Sequence, residues 1–121
     1  MAGQKNFEVD HNATFSFIIA YRDENDTAID LTGASAKMQI RDQAGGTKLA
    51  VTLTSPSGGI VIDGPTGQIT VTMTPTQTSK LFYPKSSYDL MLTDSNLNKI
   101  KLIEGFMTLK RSVTIWQTQQ L

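Results

Sequence analysis

The stretch Gln68–Thr74 alternates strictly: Ile69, Val71 and Met73 fall on one side, Thr70, Thr72 and Thr74 on the other. Successive side chains of a strand point to opposite faces, so a period of two marks an extended segment with one face buried. The pattern recurs in Thr14–Tyr21 (Phe15, Phe17, Ile19 and Tyr21), Ala34–Arg41 (Ala36, Met38 and Ile40), Lys48–Thr54 (Leu49, Val51 and Leu53) and Ser87–Thr93 (Tyr88, Leu90 and Leu92). Ile18 interrupts the polar side of its strand, which predicts partial cover on that face as well. Phe7–Asp10, Ala28–Leu31, Ile60–Ile62, Lys99–Met107 and Thr108–Ile115 read as further extended segments, with a bulge or bend at Gly105.

Turn formers separate these runs. Asp10-His11-Asn12, Gln43-Ala44-Gly45-Gly46, Ser55-Pro56-Ser57-Gly58-Gly59, Asp63-Gly64-Pro65-Thr66-Gly67 and Asp94-Ser95-Asn96 each break the pattern, and Arg22–Thr27 is a polar hairpin tip. Pro75–Leu81 differs in character: Thr74 is placed to cap a turn with Pro75 at its first position, which predicts one helical turn. Short strands with turn signals about every 8–12 residues predict an all-β, antiparallel sandwich of about seven to nine strands. A chain of 121 residues forms one domain, with its core in residues 7–115 and a tail at 116–121. Phe17, Met38, Ile40, Val71, Met73, Leu90, Leu92 and Phe106 are the expected buried set.

Composition narrows the function classes. Eleven basic and eleven acidic side chains give a formal net charge of zero, which provides no electrostatic footprint for nucleic acid or an anionic membrane. There is no cysteine, so thiolate metal sites, disulfides and cysteine nucleophiles are excluded. Met1–Asn6 carries no apolar signal core, which predicts synthesis in a cytoplasm without export through a cleavable signal.

The residues that bear chemistry are sparse. His11 is the single histidine and sits in a turn, with no elbow motif to mark a partner serine. Asp23, Glu24 and Asp26 are oxygen ligands on one tip, without the length or closing glutamate of an EF-hand loop; as charges on a hairpin they guard an edge against pairing. Asp89 and Glu104 are carboxylates that the sequence does not place together. Gly45-Gly46 and Gly58-Gly59 open no helix and read as turns, not phosphate cradles. Lys99, Lys101, Lys110 and Arg111 lack interleaved aromatics. No catalytic, cofactor-binding or metal residue is expected, and no cofactor. The candidate interface residues are Phe82 and Tyr83, two aromatics before Pro84; Trp116, the single tryptophan, beyond the last clean strand; and Arg22, Asp23 and Glu24 at the tip.

A set of phrases in fixed order adds to this reading. They are Asp30-Leu31-Thr32-Gly33-Ala34, Met38-Gln39-Ile40-Arg41, Gly67-Gln68-Ile69, Thr76-Gln77-Thr78, Tyr88-Asp89-Leu90 and Glu104-Gly105-Phe106-Met107. From Ala28 to Thr114 the chain resembles the immunoglobulin-like structural domains of tailed-phage virions, such as the N-terminal domain of baseplate upper proteins and small standalone tail-associated proteins. The resemblance implies a non-enzymatic module of the tail, baseplate or fibre region, present in many copies and partnered by other virion subunits. It implies no catalytic residue. The baseplate protein continues into a second region, whereas this sequence stops at Leu121, so no receptor-binding portion is expected. A capsid decoration or neck protein of the same fold is an alternative, and so is a carbohydrate-binding module that touches a host surface, although aromatics are only 7%.

Overall fold

The computed structural model describes residues 3–43, 46–81 and 83–111. Nine strands and one short helix follow in the order β1 (Gly3–Gln4), β2 (Phe7–Asp10), β3 (Phe15–Ala20), β4 (Ser35–Arg41), β5 (Leu49–Thr54), β6 (Ile60–Asp63), β7 (Gln68–Met73), α1 (Pro75–Thr78), β8 (Lys85–Thr93) and β9 (Lys99–Lys110) among those residues. They form an all-β sandwich of two sheets. One sheet runs β1-β9-β8-β4-β5, with β2 also beside β9; the other runs β3-β7-β6. With β3 to β9 taken as strands B, C, C′, D, E, F and G, this is the strand order of an immunoglobulin-like sandwich.

The alternating runs supply the core between the sheets. Met38, Ile40, Leu53, Ile60, Ile69, Val71, Met73, Leu90 and Leu92 are fully buried, and Phe7, Phe15, Phe17 and Ile19 pack against them while remaining partly exposed. The Phe7 ring stacks on Phe17 with centroids 4.5 Å apart and meets Phe15 edge-on at 5.4 Å. Such ring pairs add to the stabilisation from area burial alone.

The helical turn forms as its sequence predicts. The Thr74 side chain accepts from the Gln77 N–H, and the Gln77 side chain accepts from the Thr74 N–H. This reciprocal capping box satisfies two donors that the turn leaves open. Thr78 is fully buried, and its hydroxyl donates to the Ala13 carbonyl oxygen at 2.9 Å, tying the turn to the entry of β3.

Four expectations need correction. First, the sheet is not purely antiparallel: β1 and β2 run parallel to β9, pairing Gly3 with Ile103 and Phe7 with Met107. Second, β9 is one continuous strand to Lys110, not two strands joined at Met107. Third, its bulge is at Leu102 and not at Gly105: Leu90 pairs with Ile103 and Met91 with Lys101, so Leu102 is the extra residue. A bulge of one residue inverts the face of every side chain beyond it. Phe106 therefore points outward and is 38% exposed, instead of joining the core. Fourth, a bulge between β4 and β5 has the same effect on Leu49. Ile40 pairs with Val51 and Arg41 with Leu49, so Ala50 is skipped and Leu49 faces outward.

Candidate interaction surfaces

The two bulges decide what the outer face of the larger sheet presents. Leu49, Arg41, Ser87 and Phe106 share one cross-strand row, and Gln39, Asp89, Glu104 and Gln4 share the next. The Lys101 ammonium lies 3.3 Å from Glu104 Oε1 and 3.7 Å from Asp89 Oδ2. Arg41 Nη2 donates to Gln39 Oε1 at 3.0 Å, and Nη1 donates to the Gly46 carbonyl oxygen at 3.1 Å. Lys85 Nζ stands 4.1 Å from the centroid of the Phe106 ring, within cation–π range. Gln39, Arg41, Asp89, Lys101, Glu104 and Phe106 are among the residues that line a shallow depression of about 290 Å³.

The structure thus brings together Asp89 and Glu104, which sequence spacing left unconnected. They are direct cross-strand partners on an open face, and one ammonium serves both. Their side chains are roughly half exposed, so each ion pair contributes well under about 1 kcal/mol. The network orders a polar surface more than it stabilises the fold.

The Arg22–Thr27 tip is closed by its own hydrogen bonds. Asp23 Oδ1 accepts from the N–H groups of Asn25 (2.9 Å) and Thr27 (3.0 Å), while the Asp23 N–H donates to the Thr27 carbonyl oxygen. Asp26 takes a φ of 62°, a conformation that Asp tolerates better than most residues. Arg22 Nη1 donates to the Asp26 carbonyl oxygen, and its Nε lies 3.8 Å from Asp26 Oδ1. Asp23 is thereby occupied in shaping the loop, and Glu24 is left exposed at the apex. Among the described residues no group of three or more His, Cys, Asp or Glu side chains is placed to hold a metal ion.

Tyr83 lies elsewhere. It is 38% exposed and lines a shallow depression with Lys48, Leu49, Ala50 and Lys80 beside the β5 edge. The tip follows the end of β3 that pairs with Gln68, whereas Tyr83 follows α1, at the Met73 end of β7, so the two candidates sit at opposite ends of the smaller sheet. Phe82 and Trp116 lie outside the described residues. His11 sits near α1, with Nε2 3.2 Å from the Ser79 carbonyl oxygen.

Two carboxylates have depressed pKa values, both through local turn chemistry. Hydrogen bonds from the Thr32 hydroxyl and N–H hold Asp30 below the usual carboxylate value. Asp94 is held low chiefly by the Asn98 N–H, with support from the Asn96 N–H and the Asn98 amide. In the core, burial pushes the Tyr88 phenol up to about 12.

The outer face of β3 differs from the sequence expectation of partial cover at Ile18. Ile18 is 64% exposed, so the outer face of β3 is not covered. Ile18 pairs with Thr70, which pairs in turn with Val61, itself 59% exposed, so two exposed aliphatic side chains flank Thr70 across the smaller sheet. The signal was present in Phe15–Ala20, a strand that carries no charged side chain. No helix among the described residues is long and apolar enough to cross a membrane, a statement that does not bear on β-barrels. No family model and no curated protein matches the chain.

Proposed function

We propose that this protein is a non-enzymatic structural module of a tailed-phage virion, an assembly or attachment piece of the tail, baseplate or fibre region that works through protein–protein contacts. What supports the reading is the role that the phrases of the resemblance play in this sandwich. Each serves the shape of the sandwich. Asp30 closes an Asx turn on Thr32, Leu31 is buried, and Gly33 takes a φ of 83°. Gly67, with a φ of 68°, comes so close to the Ile29 and Tyr21 carbonyl oxygens that a Cβ would overlap them. Tyr88, Leu90 and Met107 are core residues. With part of each phrase spent on turns and core, function is left to surfaces, which include the outward Arg41, Asp89, Glu104 and Phe106 of the same phrases.

Those surfaces support the same reading. The outer faces and edges are open and shallow, with scattered aromatics such as Phe106 and Tyr83, which suits contact with flat neighbours in an array. Many copies in a symmetric particle turn weak contacts of this kind into a stable assembly. Fold alone does not assign function, so the test is location. Mass spectrometry of purified particles should detect the protein at a fixed stoichiometry. A cryo-electron-microscopy map should show the two-sheet module repeated about the tail axis. A protein found only in the soluble fraction of the lysate, absent from particles, would overturn the proposal.

A further inference from the structure

The smaller sheet ends in β3, and only one side of that strand is paired among the described residues. The Thr72 N–H donates to the Gly59 carbonyl oxygen, so the main-chain groups of Thr72 face β6. Main-chain groups alternate in direction along a strand, so those of Ile69, Val71 and Met73 face β3, where they meet their register partners Ile19, Phe17 and Phe15. The N–H and C=O groups of Ser16, Ile18 and Ala20 consequently point away from β7. No partner meets them among the described residues. In the constant-type immunoglobulin arrangement the first strand lies beside the second. Here β1 and β2 run beside β9 instead, and no described residue fills that place.

The other free edges carry the features that discourage strand pairing. β2 presents Glu8 and Asp10, and the ladder is interrupted between β1 and β2. β5 follows Lys48 and is bulged at Ala50. β6 is four residues long, ends in Asp63 and is followed closely by Pro65. β3 has six residues, Phe-Ser-Phe-Ile-Ile-Ala, in unbroken register, without charge, proline or bulge. Charges, prolines, bulges and shortness are the usual means by which an edge avoids self-association.

We infer that the β3 edge pairs with the β3 edge of a second copy of this chain, antiparallel about a two-fold axis beside Ile18. The sequence of the strand is suited to this occupant. Centring the pairing on Ile18 sets Ile18 opposite the Ile18 of the second copy and Ser16 opposite its Ala20. Each of these pairs has its N–H and C=O groups directed across the join. No charge on β3 opposes itself across the axis, and the chain is neutral. The two small sheets become one continuous sheet, and the exposed Ile18–Thr70–Val61 rows of both copies form a shared outer face. This inference does not rest on the virion reading, and a dimer in solution would stand wherever the protein works.

The test uses the full chain. Sedimentation equilibrium over a range reaching about 0.5 mM, suited to a small and weak interface, should show a monomer–dimer equilibrium. Amide exchange at Ser16, Ile18 and Ala20 should slow with rising concentration, while the β7-bonded amides of Phe17 and Ile19 keep their rates. Ile18→Pro removes an N–H that β7 does not use and should give a folded monomer. Ile18→Lys should weaken dimerisation at least tenfold, and it stands as the variant of record should the proline disturb folding. A chain that stays monomeric at the highest concentration overturns the inference. So does a dimer that survives Ile18→Lys, or one whose Ser16, Ile18 and Ala20 amides exchange freely. A dimer lost on removing residues 112–121 would mean that the edge takes a neighbour's tail and not its β3, which also overturns it.

Discussion

The Tyr88 hydroxyl donates to the Lys5 carbonyl oxygen at 2.5 Å, across 83 residues of sequence. The bond joins the core of β8 to the gap between β1 and β2. At that gap the ladder to β9 is kept by other means: the Lys5 N–H donates to the Glu104 carbonyl oxygen at 3.0 Å, and the Asn6 side-chain oxygen accepts from the Phe106 N–H at 3.0 Å. Gly105, the cross-strand partner of Tyr88, faces the same peptide. A tyrosine, an asparagine and a glycine together hold the first segment against the last.

Gly105→Ala should detach that segment. A Cβ there would overlap the Lys5 carbonyl oxygen and lie 2.8 Å from Asn6 Oδ1, and main chain cannot yield as a flexible side-chain end can. The expected cost is roughly 1–3 kcal/mol, within the range for forced overlap in a packed site. It is read as a lower urea midpoint, with faster amide exchange at Lys5 and Phe106. An unchanged midpoint would show that the approach is looser than the structure has it.

Tyr88 should limit stability in alkali. Its folded pKa, about 12, lies above its ordinary value near 10, so the folded state binds the phenolic proton more tightly than the unfolded state. This contribution is fully present below pH 10 and is lost as the pH rises through about 12. Ultraviolet titration should show one phenol ionising near the upper value. Tyr88→Phe should abolish that step and the associated loss of stability, at a cost of roughly 1–2 kcal/mol at neutral pH for the unpartnered Lys5 carbonyl.

Two apolar residues on the last strands should behave in opposite ways. Leu90 is fully buried, and Leu90→Ala should cost about 2–5 kcal/mol. Phe106 projects outward with Lys85 over its ring, so Phe106→Ala should cost no more than about 1 kcal/mol. Chemical denaturation of both variants checks the bulge at Leu102: equal losses would return Phe106 to the core.

Asp94 should contribute on the acid side. Its folded pKa is depressed, so the stability it adds is present above the ordinary carboxylate value of 3.8 and is lost as the pH falls through the lower, folded value. Asp94→Asn should flatten the acid limb of the stability–pH curve. A limb of unchanged slope would mean that the Asn96 and Asn98 N–H groups do not favour the charged form.

Period-two alternation was enough, from the sequence by itself, to determine the class of fold and most of the core. Ile69, Val71, Met73, Met38 and Ile40 could be assigned to a buried face because each lies on an unbroken run whose neighbours are polar, and Leu90 and Leu92 because they continue the alternation set by Tyr88. The helical turn was equally legible, since Thr74, Pro75 and Gln77 cap it through local bonds. Tertiary structure decided whatever depends on register between strands. Leu49 and Phe106 look like core residues in their own segments, yet one skipped residue in each ladder turns them outward, and no local pattern records a bulge that forms only against a partner strand. The union of Asp89 with Glu104, the parallel course of β1 and β2 beside β9, and the open edge of β3 are of the same kind. Each is a relation between segments distant in sequence, set by which neighbour a strand meets and in what register, whereas the alternation within a strand specifies only that it has two unlike faces.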